Sequence, residues 1–170
     1  PGGESGDFYT PGKPNLMVFN MPYHSPDSGA DKGVKLILFD YRRFLPEYKS
    51  INYLPGVWLQ PLLKERDAVE PLYHSGGLVS ETARANIFLV KNGVLVTPGS
   101  GILMGVTRKH LIAMAKPHFK VEERDVRVEE LFTADEVFMT GTSKHVLAVV
   151  QIDDTIVAQG IPGPVTLQLR

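Results

Sequence analysis

The chain has 170 residues, with 18 Lys+Arg against 19 Asp+Glu, a formal balance of −1, and 43% hydrophobic residues. That length predicts one domain with attachments, the near-neutral charge carries no electrostatic signature for nucleic acid or an anionic membrane, and no apolar run approaches the ~20 residues of a membrane span. Cysteine is absent, which excludes a disulfide framework, a thiolate metal site and a Cys nucleophile and is compatible with the cytoplasm, while 16 Gly and 13 Pro argue against a helical bundle.

Both ends read as cut. Pro1-Gly2-Gly3-Glu4 has neither an initiator Met nor a leader pattern, and the last residues open a helix at Pro164 and stop. Residues 15–21 are predicted as a strand stopped by Pro22, and residues 22–33, rich in turn formers, as a linker. Residues 34–40 begin a second, strand-rich region. The spacing of Leu54, Val57, Trp58 and Leu62 predicts a helix over 52–66 that buries this face, although Pro61 works against its continuity. Residues 87–90 and 94–97 form a hairpin through Lys91-Asn92-Gly93. A helix over 107–116, capped by Thr107, is expected to bury Leu111, Ile112 and Met114. Strands are predicted over 121–126, 136–139 and 146–152, the last ending at Asp153-Asp154.

Three Gly/Thr/Ser-rich segments stand at strand ends: 101–107, 140–143 and 163–166. Backbone N–H groups in turns and at helix N-termini, with hydroxyls beside them, bind phosphate without a metal. Lys49 occupies a short polar break between a hydrophobic strand and a helix-like segment, and Glu81 stands in Val79-Ser80-Glu81-Thr82-Ala83-Arg84-Ala85-Asn86-Ile87. A lysine, an acid and phosphate turns suggest a pyridoxal 5'-phosphate site, whose chemistry asks for an amine, an anion opposite the pyridine nitrogen and phosphate donors. The five histidines, at 24, 74, 110, 118 and 145, show no ligand spacing and read as surface or satisfied residues, so no metal is expected.

Lys49-Ser50 with Asn52-Tyr53-Leu54, Ser80-Glu81-Thr82 with Asn86-Ile87-Phe88, Leu103-Met104-Gly105-Val106-Thr107-Arg108, the run from Ala134 to Thr142, and Gly163-Pro164-Val165-Thr166 together resemble the class IV aminotransferases. These are fold type IV pyridoxal phosphate enzymes that include branched-chain and D-amino acid aminotransferases and aminodeoxychorismate lyase. The resemblance implies an α/β (α+β) fold: a mixed-sheet pseudo-barrel flanked by helices, the large C-terminal domain of such an enzyme. On this reading residues 1–21 are a remnant of a small N-terminal domain, 22–33 the linker and 34–170 the catalytic domain of a partial chain.

The likeness assigns roles. Lys49 would attach the cofactor and move a proton at the substrate α-carbon, which requires a neutral amine favoured by burial. Glu81 would pair with the pyridine nitrogen, Tyr53 would contact the cofactor's phenolic oxygen and Leu103 would pack on its ring. Gly105, Val106, Thr107 and Thr142 would hold the phosphate, with Gly141 and Ser143 near the substrate carboxylate. Arg84, Lys144 and His145 read as solvated charges. The run 134–142 and residues 163–166 look closest to branched-chain enzymes; His145 and Ala85 stand where those commonly carry Glu, and the Arg-x-His of D-amino acid enzymes is not seen near residues 6–8. The expected activity is transamination between an apolar or branched-chain L-amino acid and a 2-oxo acid, in a homodimer when full length. The alternatives are a lyase, a D-amino acid aminotransferase, or an inactive scaffold domain.

Overall fold

The computed structural model describes residues 16–22 and 31–170. Among them ten strands form one mixed sheet. Strand β1 (Val34–Asp40) is followed by short helices α1 (Leu54–Trp58) and α2 (Gln60–Glu65), and then by β2 (Glu70–Ser75), β3 (Leu78–Thr82), β4 (Asn86–Lys91) and β5 (Val94–Thr97). Helix α3 (Val106–Ala115) leads to β6 (Lys120–Glu123), β7 (Val126–Arg127) and α4 (Val128–Phe132). The hairpin β8 (Glu136–Gly141) and β9 (His145–Ile152), a short β10 (Thr155–Ile156) and α5 (Pro164–Leu169) complete the chain.

The sheet closes on itself. Strands run β4, β8, β9, β1, β2, β3, and β3 pairs back to β4 through Glu81 opposite Asn86. β1 lies parallel to both of its neighbours and the other ring pairs are antiparallel, so the expected mixed barrel with flanking helices is what the chain forms. Alternation along each strand sends one set of side chains inward and the other under the helices. Leu36, Leu72, Ile87, Leu89, Met139 and Val149 fill the barrel. Phe88 and Phe138, stacked at 5.1 Å, lie on the outer face with Leu111 and Ile112 of α3. Ile37 and Tyr73 lie under Leu59, between the two short helices, and Leu63 of α2.

Strand 34–40, the 87–97 hairpin and strands 136–139 and 146–152 form as predicted, and Asn92 and Gly93 take the positive φ values, 50° and 75°, that the tight turn demands. Four expectations need correction. The predicted strand at 15–21 does not form: residues 16–22 are irregular, and Leu16, Met17, Val18 and Phe19 are at least 75% exposed. No described strand pairs with them, and a lone strand has nowhere to place its backbone hydrogen bonds except water; Asn15 lies outside the described residues. The 52–66 helix breaks at Leu59, placing Pro61 in the first turn of α2, where a missing N–H costs nothing. The break rotates the faces, so Gly56, Leu59 and Leu63 are buried while Leu54, Val57 and Trp58 are 72, 63 and 69% exposed. Met114 is exposed too, with Arg108 and Ala115 in the buried face of α3 instead. The single strand over 121–126 is two, because the chain changes partner from β5 to β3 at Arg124-Asp125, where Arg124 turns outward to Glu122 and Glu130.

Candidate active site

One row of side chains crosses three neighbouring strands. Glu81 on β3 stands opposite Asn86 on β4, and Asn86 opposite Thr140 on β8. Directly paired residues share a face, so this row continues the outer face that carries Phe88 and Phe138 just beyond the end of their packing against α3. The row is polar because a cavity of about 330 Å³ opens there, lined by all three residues and by the N-terminus of α3.

Glu81 is the buried anion of this cavity, 4% exposed. Its Oε1 accepts from Arg43 Nη1 at 2.7 Å and its Oε2 from the Leu103 N–H at 3.1 Å and Asn86 Nδ2 at 3.4 Å. Burial pushes its carboxyl above the ordinary 4.5, against the opposing pull of the Leu103 N–H, Arg43 and Lys49. Asn86 also donates to the Leu103 carbonyl at 2.8 Å, so one amide fixes both Glu81 and the loop before α3. That loop passes so close that a Cβ on Gly105 would sit 2.4 Å from Asn86 Oδ1. A side chain there would force the loop away from the row.

Helix α3 begins with Gly105 as N-cap and has no side-chain cap. Thr107, expected as the cap, lies two residues inside the helix; with glycine the only residue the approach to Asn86 tolerates, the cap moves there. The first N–H groups of α3, from Val106 onward, have no intrahelical acceptor, and Val106 and Thr107 line the cavity. Opposite them Gly141, at the end of β8, and Thr142, in the β8–β9 turn, complete a second wall. Ser143 lies in the same turn without lining the cavity. Tyr53, N-cap of α1, and Lys49 close a third side, the lysine Nζ 5.8 Å from the tyrosine ring centre. Lys49 is exposed, so the burial expected around its amine is not provided by the described residues. Leu103 lines the cavity beside Glu81.

The third segment expected to bind phosphate is different. At the start of α5 the N–H groups of Val165 and Thr166, and the Thr166 hydroxyl, all donate to the Glu136 carboxylate at 2.7–2.9 Å. A Cβ on Gly163 would sit 2.1 Å from Glu136 Cδ, so glycine makes room for an anion that the chain itself provides. This turn is an internal cap and lies outside the cavity.

Four residues outside the sequence expectation belong to the site. Arg43 holds Glu81, Asn86 braces the row, and Arg84 lines the cavity. Thr140 is 1% exposed and its Oγ1 has no hydrogen-bond partner among the described residues. Buried hydroxyls without partners are uncommon; this one faces a cavity. Asn86 sits in a quoted motif, and a polar residue opening an otherwise apolar strand was the available signal for it. Arg84 and Lys144, read as solvated, both bind buried Glu70, Arg84 Nε at 3.0 Å and Lys144 through Nζ. Burial alone would raise the Glu70 carboxyl, but Lys144, with Thr82 and Arg84, outweighs it and holds the group below 4.5. His74 is also corrected: its Nδ1 is buried and unpartnered rather than satisfied. His24 lies outside the described residues.

A lysine and a buried, counter-charged acid share a cavity whose other walls offer backbone donors, on the outer face of a closed mixed barrel. Chain comparison gives that combination its class. The chain belongs to the class IV aminotransferases: residues 2–152 match the family described as amino-transferase class IV. It is 45% identical over 155 residues to a probable branched-chain-amino-acid aminotransferase of Aquifex aeolicus, covering 82% of this chain and 48% of that one. It is 32% identical over 161 residues to a D-alanine aminotransferase of Bacillus licheniformis, covering 92% of this chain and 57% of that one. Its fold matches the T.th. branched-chain amino acid aminotransferase complexed with N-(5'-phosphopyridoxyl)-L-glutamate, with a TM-score of 0.77 and 33% identity over 83% of this chain and 50% of that chain. The chain thus spans about half the length of the curated relatives it matches. Relatives of both substrate types match, so family membership does not select between them. Among the described residues no helix is long and apolar enough to cross a membrane.

Proposed function

We propose that this cavity is the pyridoxal 5'-phosphate site of an aminotransferase that moves an amino group between an amino acid and a 2-oxo acid. The observation that carries the reading is the meeting of Lys49, Glu81 and the N-terminus of α3 in one cavity. The residues fit the cofactor: Glu81 is an anion suited to a protonated ring nitrogen, the first N–H groups of α3 with Thr107 and Thr142 suit a phosphate, and the Thr140 hydroxyl has bonding capacity to offer. Lys49 is the amine for covalent attachment, Tyr53 the hydroxyl for the phenolic oxygen, and Leu103 the apolar contact for the ring. Gly105 and Val106 present the helix end, and Gly141 and Ser143 serve the substrate carboxylate.

When bound, the cofactor supplies an electron-withdrawing ring that acidifies the substrate α-proton. Lys49 Nζ takes that proton. Glu81, kept in place by Arg43, Asn86 and the Leu103 N–H, supplies the negative charge that favours a protonated ring. The substrates are small molecules; neither nucleic acid nor a membrane is part of this reading, and the cysteine-free composition fits a cytoplasmic setting. Residues 1–21 are proposed as part of a small N-terminal domain, 22–33 as a linker and 34–170 as the catalytic domain.

A homodimer is also proposed. It is supported by exposed apolar side chains at and next to the cavity wall: Val106, which lines it, and Ile51 and Leu54, which flank the lining residue Tyr53 in sequence, are 69, 95 and 72% exposed. Exposed apolar groups on this scale favour coverage by another surface. A branched-chain L-amino acid is the preferred donor, supported by the 45% identity to the probable branched-chain enzyme. The test is incubation of the full-length protein, loaded with pyridoxal 5'-phosphate, with 2-oxoglutarate and either L-leucine or D-alanine. Glutamate formed from L-leucine is the expected result; glutamate only from D-alanine overturns the donor, and none from either overturns transamination.

A further inference from the structure

A second cavity, of about 520 Å³, adjoins the first, and Tyr53, Ala83 and Arg84 line both. Its remaining wall is largely apolar, from Val57, Leu63, Val69 and Pro71, with Glu70 at one side. Arg84 is the only cation lining both cavities among the described residues.

Two facts make Arg84 more than a solvated side chain. Its position is fixed at two points, by Nε donating to Glu70 Oε1 at 3.0 Å and by its backbone N–H donating to Glu70 Oε2 at 3.2 Å. Glu70 is 1% exposed and also binds Lys144, so one buried anion faces two cations and the junction keeps a positive excess. The terminal nitrogens, by contrast, have no hydrogen-bond partner among the described residues, and the side chain is 62% exposed. A guanidinium held at Nε with both outer nitrogens open presents the planar fork that receives a carboxylate in two parallel hydrogen bonds. The other cations of the first cavity are otherwise engaged, Arg43 by Glu81 and Lys49 by its proposed attachment role.

We propose that Arg84, braced by Glu70, receives the side-chain carboxylate of a dicarboxylic amino acid or 2-oxo acid at the junction of the two cavities. The inference rests on the aminotransferase reading and assigns a residue to the second carboxylate of its dicarboxylic substrate. The α-carboxylate falls to the Gly141–Ser143 turn; the Arg84 backbone carbonyl lies 3.3 Å from where a Gly141 Cβ would be, and Arg84 lines the same cavity as Gly141 and Thr142. A substrate anchored at the turn lies in the cavity that Arg84 also lines, where a second carboxylate can be offered to the guanidinium. An apolar substrate would pass the same arginine without engaging it.

The test uses two unreactive acids, glutarate and 4-methylvalerate, titrated into the full-length protein loaded with pyridoxal 5'-phosphate and followed by its visible absorbance. Arg84 is largely exposed, so Arg84→Gln is expected to fold. That variant should raise the glutarate Kd about tenfold or more, as expected for loss of a charged hydrogen-bonded pair, and leave the 4-methylvalerate Kd within about twofold. Arg84→Lys keeps the charge without the fork and should recover part of the glutarate affinity. Equal weakening of both acids would put Arg84 on the carboxylate they share and overturn the inference, as would no change in either. Failure of the unsubstituted protein to take up the cofactor would overturn the aminotransferase reading itself, and is visible before any acid is added.

Discussion

Helices α3 and α5 begin with nearly the same chemistry and end in opposite uses. Gly105-Val106-Thr107 and Gly163-Pro164-Val165-Thr166 each present a glycine, backbone donors without an intrahelical acceptor and a threonine hydroxyl. At α5 the donors are filled by Glu136, while at α3 no side chain among the described residues caps them and a cavity lies against them. The difference is whether the chain brings its own anion. A helix N-terminus favours negative charge in either case; function depends on that charge being left for a ligand.

The contrast can be broken most sharply by exchanging hydroxyls for methyls at the two ends. In the full-length protein Thr107→Val with Thr142→Val should weaken pyridoxal 5'-phosphate binding by about 100-fold or more, from ~1.5–3 kcal/mol per charged hydrogen bond, with little change in unfolding free energy. Thr166→Val should do the reverse, costing about 1.5–3 kcal/mol in urea unfolding with cofactor affinity unchanged. Equal effects of the two substitutions on cofactor affinity would erase the distinction between the helices.

Thr140 sharpens the same idea within the cavity. Its hydroxyl, unpartnered among the described residues, is a burden on the empty protein and, on the proposed reading, would offer a hydrogen bond to the cofactor. Thr140→Val should stabilise the unloaded protein by about 1 kcal/mol and raise the cofactor Kd several-fold, since removing a buried unsatisfied hydroxyl removes its desolvation cost. Destabilisation of the unloaded protein would mean that the hydroxyl already has a partner.

The smallest effect separates two buried carboxylates. Glu70 is matched by protein cations and held below 4.5, so its stabilisation is present above that pH and fades as pH falls through its lowered value. Glu81 faces the cavity and is raised by burial, so its contribution runs the other way, complete below 4.5 and fading as pH rises through its raised value. In urea unfolding of the unloaded protein between about pH 3 and 7, the cost of Glu70→Gln should shrink toward acid. Glu81→Gln should gain relative stability toward neutral pH. The same slope for both would contradict the assigned surroundings.

Much of the barrel was legible because β4, β8 and β9 carry long apolar runs with clear turns between them. β2 was not, since Glu70-Pro71 and His74 disguise a buried strand, and the reason for a glutamate there, two cations from distant positions, is visible only in three dimensions. The short helices misled because Pro61 allows a break whose position local spacing does not fix. Lys49, Glu81 and the two cavity-lining turns were readable as an ordered set of motifs. Arg43, Thr140 and Arg84 were not, because their meaning lies in what they face: a carboxylate, an open cavity and the junction of two cavities. Residues 163–166 show the converse, a motif that reads as a ligand turn and is structural.

The central claim is that Lys49 is the attachment point in a cavity built for pyridoxal 5'-phosphate. The direct measurement is borohydride reduction of the full-length protein incubated with the cofactor, followed by peptide mapping. The account predicts a reduced phosphopyridoxyl adduct on Lys49 that is lost in Lys49→Ala; an adduct on another lysine, or none, would contradict it.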